Sequence, residues 1–215
     1  MALNANAIVT LAEAKEQLKI TTSNTNEDTM LEAYINETSS AIEAYTKRKI
    51  VSQSISGELH DGDGSNFLYP RYFPIQQLST ESSPTDAQKL AALQYRDTPD
   101  DTWTDIEDDI DHVFVETGND ALRPYIELYE ELFPIGRRNI KVSYKAGYTT
   151  VPGDIKLVCL EMIQMRWNES KRGNDWLGQG NINQSQSGNN YSTTLINLDK
   201  RWKAVLDRYR VPSVG

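Results

Sequence analysis

The chain has 215 residues, with 22 Lys+Arg against 31 Asp+Glu, one cysteine and two histidines. About 200 residues is enough for one domain or two small ones with a real core, and a formal charge of -9 argues against a chain that grips nucleic acid by replacing phosphate counterions. One thiol excludes an intramolecular disulfide, and one Cys plus two His exclude a structural zinc site of four Cys or His ligands within one chain.

Thr10 followed by Glu13 has the spacing of a capping box, and Leu11, Ala14 and Leu18 supply one apolar face, which predicts a short helix from Leu11 to about Leu18. The polar run Thr21 to Asn26 ends it. Asn26 can cap a longer helix in which Leu31, Ile35, Thr38, Ile42 and Tyr45 recur at intervals of three and four. Glu27 and Asp28 at its start and Lys47, Arg48 and Lys49 at its end suit the helix dipole.

After Ile50 the pattern becomes extended. Residues 51–59 and 67–78 read as strands joined across the turn Asp61-Gly-Asp-Gly64. Asp61, Asp63 and Ser65 open like an EF-hand loop, but Asn66 stands where that loop needs Gly and Tyr72 where it needs the closing Glu, so the segment reads as a turn. Ala87 to Leu93 suggests a short helical turn. Trp103 to Thr117 mixes apolar residues with acids and suggests one or two solvent-facing strands. Tyr125 to Tyr129 alternates like a strand, whereas Glu-Glu-Leu-Phe after it favours helix. Ile140, Val142 and Tyr144 alternate with Lys141, Ser143 and Lys145, which predicts a half-buried strand turned by Gly147.

Pro152 suits the first turn of a helix carrying Ile155, Val158, Cys159, Met162 and Ile163 to about Lys171. Residues 173–194, rich in Gly, Asn, Gln and Ser, read as a flexible loop or linker. A last helix from Leu195 to about Tyr209 places Leu198, Trp202, Val205, Leu206 and Tyr209 on one face, and Pro212 stops it. An amphipathic helix behind such a linker predicts docking on something other than its own core. The expected organisation is thus a core domain over 1–172 containing a β insertion at 51–148, a linker at 173–194 and a docking helix with its tail at 195–215.

Charge is unevenly placed. Asp97 to Asp120 holds ten acids and no base, and without these ten the chain carries 21 acids against 22 bases. The last 17 residues hold five bases against two acids. No signal-like segment and no apolar run near the roughly 20 residues needed to cross a bilayer is visible, which predicts a soluble protein made in a reducing compartment.

Chemistry is hard to find. No phosphate-binding glycine loop, GxSxG, HExxH or CxxC occurs. Cys159 falls on the apolar stripe of its helix and reads as a buried thiol. His60 and His112 have no partner recognisable by spacing. The acids Asp105, Glu107, Asp109 and Asp111 share a strand face and admit a two-carboxylate hydrolase or divalent-metal reading, but charge runs are mostly solvated surface.

The segments Val9-Thr-Leu-Ala-Glu-Ala-Lys-Glu-Gln-Leu18, Ala41-Ile-Glu-Ala-Tyr-Thr46, Tyr72-Phe-Pro-Ile75 and Asn139-Ile-Lys-Val-Ser-Tyr-Lys-Ala-Gly-Tyr148, followed by Val151-Pro152 and a helix, resemble in order and spacing the head-tail connector proteins of tailed bacteriophages. These are also called adaptor or head-completion proteins. The resemblance covers about residues 7–172 and implies an α+β, mainly helical fold: a helical bundle with a small antiparallel β element and an extended C-terminal helix. It implies a structural virion protein and no enzyme, without cofactor or metal. Such subunits form a homo-oligomeric ring, usually of twelve copies, beneath the portal protein at the neck of the virion, and offer a platform to a stopper or tail component. They would be made in the host cytoplasm and need no membrane.

Two expectations combine the resemblance with the residues. The C-terminal helix would dock on the portal through Leu198, Trp202, Val205, Leu206, Tyr209 and Arg210. The acids Asp105, Glu107, Asp108, Asp109 and Asp111 would face a channel through which double-stranded DNA passes without specific binding, since a repulsive wall opposes sticking. The alternatives are another neck or tail subunit, a stopper or tail-terminator, or a small metal-dependent hydrolase using the 97–120 acids.

Overall fold

The structure of the protein is a computed structural model that describes residues 2–106, 111, 113–116, 124–129, 131–171 and 200–210. Two compact units are formed: one from residues up to Thr46 together with Pro152–Arg210, the other from Lys47–Val151.

The first unit is helical. Helix α1 (Leu11–Gln17) starts with the capping box its sequence predicts: Thr10 Oγ1 accepts from the Glu13 amide at 3.2 Å, and Glu13 Oε2 accepts from the Thr10 amide at 2.7 Å. Helix α2 (Asp28–Thr46) buries Leu31, Ile35, Thr38 and Ile42, the stripe expected from intervals of three and four. Lys15 is buried and fixes the segment between the two helices. Its ammonium lies 2.5 Å from Asp28 Oδ1 and donates to the carbonyls of Thr22 and Asn24. Helix α4 (Gly153–Lys171) faces α2 with Ile155, Val158, Cys159 and Ile163, and is tied outside that core by Lys156 to Glu13 at 2.8 Å and by Arg166 to Glu37. Helix α5 (Lys200–Leu206) packs on both α2 and α4.

Cys159 is fully buried, 3.5 Å from the Thr38 hydroxyl, and burial pushes its thiol up to about 11. The nucleophile is the thiolate. We expect a neutral-pH thiol reagent to leave Cys159 unmodified in the folded protein and to modify one thiol per chain in denaturant; stoichiometric labelling of the native protein would contradict this packing.

The second unit is built on sheets. Strand β8 (Gly136–Ala146) is its centre, pairing antiparallel along one edge with β1 (Gln53–Gly62), from Gln53 opposite Ala146 to Gly62 opposite Gly136. Its other edge is shared end to end by β3 (Ile75–Leu78), opposite residues 144–146, and β4 (Leu93–Tyr95), opposite 140–142. Strand β5 (Thr104–Asp105) continues outward from β4. A second, three-stranded sheet has the order β2 (Phe67–Leu68), β7 (Tyr125–Leu128), β6 (Val113–Glu116). Helix α3 (Asp86–Leu90) carries its own capping box, Thr85 with Gln88. One core joins both sheets, made of Leu68, Leu93, Ile126, Leu128, Phe133, Ile140, Val142 and Tyr144 among others.

The expectation of a mainly helical bundle with a small β element is corrected here: among the described residues, eight strands in two antiparallel sheets stand beside five helices. The two strands expected to join across the Asp61–Gly64 turn do not pair with each other. Strand β1 instead pairs with β8, and β2 with β7. The turn itself is an Asx turn, in which Asp63 Oδ1 accepts from the amide and the hydroxyl of Ser65 and Asp61 Oδ1 accepts from the Arg138 amide. Gly147 has φ +107°, and a Cβ there would stand 2.3 Å from the Val51 carbonyl oxygen, so only glycine fits where β8 leaves the sheet.

Candidate assembly surfaces

The side chains with reactive potential are engaged in holding the fold. The Glu58 side chain, only 7% exposed, lies on β1 and acts as the acceptor at the centre of a network. Tyr144 donates its hydroxyl to Glu58 Oε2 at 2.8 Å, the Arg71 amide donates to Oε1 at 2.9 Å, and His60 Nε2 lies 2.6 Å from the same oxygen. The Tyr144 hydroxyl in turn accepts from the Tyr72 amide. Burial alone would raise the Glu58 pKa, but the hydrogen bonds from His60, the Arg71 amide and Tyr144 outweigh it and hold the carboxyl below its ordinary range. Burial pushes the Tyr144 phenol well above its ordinary value. His60 therefore has a partner that the sequence reading missed: Glu58, two residues back on the same strand face. Among the described residues, no three His, Cys, Asp or Glu side chains gather as a metal ion would require.

The acidic stretch lies in the sheet unit. Asp97, Asp100, Asp101, Asp105 and Asp111 are all exposed. Asp105, on β5, accepts from Gln94 Nε2 at 2.8 Å across the strand pair. Glu107, Asp108 and Asp109 lie outside the described residues. The bases nearest in sequence and register turn to aromatic rings: Arg96 and Lys141 stand 4.5 and 4.6 Å from the Trp103 ring centroid.

The C-terminal helix, α5, uses its apolar residues within its own unit. Trp202 and Leu206 are buried, and the Trp202 indole N–H donates to Glu161 Oε2 at 2.6 Å. Arg201 pairs with the same carboxylate at 3.0 Å. Tyr209 donates its hydroxyl to Asp154, and Tyr45 donates to Asp207. Val205 and Tyr209 are half-buried and Arg210 is exposed, its guanidinium 5.3 Å from the Tyr45 ring. Leu198 lies outside the described residues.

One surface went unnoticed in the sequence. On β7, Ile126 and Leu128 face the core while Tyr125 and Glu127 face outward. The Tyr125-Ile-Glu-Leu-Tyr129 segment, ambiguous in sequence between strand and helix, is a strand whose outward positions are largely aromatic where a solvated strand face is ordinarily polar.

No helix among the described residues is long and apolar enough to cross a membrane. No curated protein matches the sequence. Three chains in solved particle structures share its fold. One, in the neck of an empty gene transfer agent particle computed with sixfold symmetry, is 17% identical with a TM-score of 0.61, over 100% of this chain and 98% of that one. Another, in the neck of the native particle computed with twelvefold symmetry, is 14% identical with a TM-score of 0.60 over 100% and 98%. A third, in the virion of the native gene transfer agent particle, is 14% identical with a TM-score of 0.56 over 100% and 95%. Residues 8–92 match the sequence model of the phage gp6-like head-tail connector protein family. Those 85 of the 215 residues are similar to the family that the ordered motifs of the sequence resemble.

Proposed function

We propose that this protein is a structural subunit of a virion neck, a head-tail connector that forms a ring beneath a portal and lets double-stranded DNA pass. The observation that carries the reading is agreement between two separate signals. The family match covers residues 8–92, and neck chains share the fold along the whole of this chain. The sixfold and twelvefold symmetry of those necks supports a ring of identical copies, for which twelve is the proposed number.

Within that reading, the exposed acids Asp97, Asp100, Asp101, Asp105 and Asp111, with Glu107, Asp108 and Asp109 between them in sequence, line the channel or its mouth. Their charge keeps DNA sliding, because counterion release gives it nothing to bind. The 195–210 segment meets the portal. Its exposed position is Arg210, with Val205 half-buried beside it, while Trp202, Leu206 and the Tyr209 bond to Asp154 hold the helix to its own bundle, so docking through those three requires the helix to exchange partners. A stopper or tail component takes the opposite side of the ring.

The test is a cryo-electron microscopy reconstruction of purified portal mixed with the full chain and with a variant ending before Leu195. The expected result is a ring on the portal with the full chain, loss of that ring with the truncated one, and residues 97–111 at the lumen. A truncated chain that still decorates the portal would sink the anchor; acids on the outer rim would sink the sliding wall; no ring with either chain would sink the connector reading.

A further inference from the structure

The three-stranded sheet is apolar on its core face and largely aromatic on the other. Val113, Val115, Ile126, Leu128 and Leu68 pack into or against the core of the sheet unit. The opposite face carries Tyr125 and Glu127 on β7, with Phe67 and Phe114 across from Glu127 on the two neighbouring strands. Phe67 meets Tyr125 edge-on at 5.4 Å and Phe114 lies 6.1 Å from the same ring, so the three aromatics form one sheet of contacts around a single carboxylate. Phe114 is 53% and Tyr129, the next outward residue, 78% exposed. The following loop adds exposed Leu132 and Ile135. That loop is held in place: Phe133 is buried, its amide donates to the Ser65 carbonyl at 2.8 Å, and Asn139 Nδ2 donates to the Pro134 carbonyl at 2.9 Å. A pre-built aromatic surface loses little freedom on binding, and contiguous exposed aromatics mark contact sites.

What covers it is argued from complementarity. A ring of identical copies needs two different patches on each copy, one given and one received. In the helical unit, Leu157 on α4 is the one large apolar side chain strongly exposed among the described residues. It stands one turn from Asp154 and from Glu161. These hold Arg208 at 3.9 Å and Arg201 at 3.0 Å, with both guanidinium side chains about two-thirds exposed. An apolar spot rimmed by arginines suits aromatic rings around a carboxylate, through cation–π contacts and an ion pair to Glu127.

We propose that the aromatic face of Phe67, Phe114, Tyr125 and Tyr129 docks on Leu157, Arg201 and Arg208 of a second copy of this chain, and that this is the copy-to-copy contact of the ring. The inference rests on the ring reading above. It is tested with the full chain carrying the photo-crosslinking residue p-benzoylphenylalanine in place of Phe114 or Tyr129, mixed with isotopically heavy chain and irradiated in concentrated solution and on purified portal. The expected result is light–heavy crosslinks from position 114 or 129 into Gly153–Lys171 or 200–210, lowered at least tenfold by Leu157→Glu, whose exposed site leaves the fold intact by circular dichroism. Absence of inter-copy product in both settings, crosslinks that land elsewhere or on the portal, or a yield indifferent to Leu157→Glu would each overturn it. A ring on the portal without these crosslinks defeats this contact alone, whereas inter-copy crosslinks without portal binding defeat the connector reading alone.

Discussion

Replacing Glu58 by Ala is expected to destabilise the sheet unit by about 3–4 kcal/mol at neutral pH, read as a shift in its urea unfolding midpoint. The estimate rests on what is stranded. The Tyr144 hydroxyl, the Arg71 amide and His60 all converge on this one carboxylate; the exposed Arg71 amide can turn to water, but the two part-buried partners cannot, and a donor deprived of its acceptor away from water costs about 1–3 kcal/mol. Glu58→Gln keeps the shape and some acceptors and is expected to cost about 1–2 kcal/mol by the same reasoning. The two substitutions also separate charge from shape. The folded carboxyl is held below its ordinary value of 4.5, so the native state binds this proton more weakly than the unfolded chain does. Its contribution is therefore fully present above that value and fades as pH falls through the folded one. The gap in stability between the natural chain and Glu58→Gln should narrow from pH 6 to acid conditions. A gap that stays constant or widens in acid would show that the carboxylate is not the acceptor drawn here.

Trp202→Ala is expected to release the C-terminal helix while leaving the rest of the helical unit folded. Removing a buried tryptophan costs about 3–5 kcal/mol. Helix α5 has seven residues, too few to persist alone, so the loss falls on its docking and not on the whole bundle. At the low end, about 3 kcal/mol raises the undocked population by about two orders of magnitude. Tryptic cleavage at Lys203 and Arg208 should accelerate by about a hundredfold if it proceeds through undocking. Trp202→Phe keeps one aromatic ring and gives up both the remaining indole volume and the bond to Glu161, which still has Arg201. It should cost about 1–3 kcal/mol. Cleavage of Trp202→Ala at the natural rate would mean that the Trp202 contact does not hold α5.

The helices were legible because their determinants are local. Thr10 and Glu13 are three residues apart, the buried stripe of α2 repeats every three or four, and both features appear in the structure as the spacing implied. The sheets were not legible as an architecture. A period-two pattern located β8 and left β7 open between strand and helix, but β1 finds its partner more than seventy residues away and β3 and β4 share one edge of the same strand, which no local window contains. That is why the proportion of β structure was underestimated. The same distance hid the side-chain partners. Glu161 lies 41 residues from Trp202 and Tyr144 lies 86 from Glu58. His60 is different: its partner lies at i−2, on the same strand face, where a pattern of charge as well as of hydrophobicity marks it. The aromatic outer face was likewise visible in Tyr125 and Tyr129, but only the sheet brings Phe67 and Phe114 beside them.

The sheet unit begins and ends at one place. Val51 bridges Tyr148 in parallel, the Tyr148 amide donates to the Ile50 carbonyl at 3.0 Å, and Gly147 lets the two backbones approach. A segment of about a hundred residues thus has its two ends held side by side by its own backbone. Ends held this close are what a tolerant module needs: the entropy cost of closing a chain segment grows only slowly with its length, so added residues inside it carry little penalty of their own.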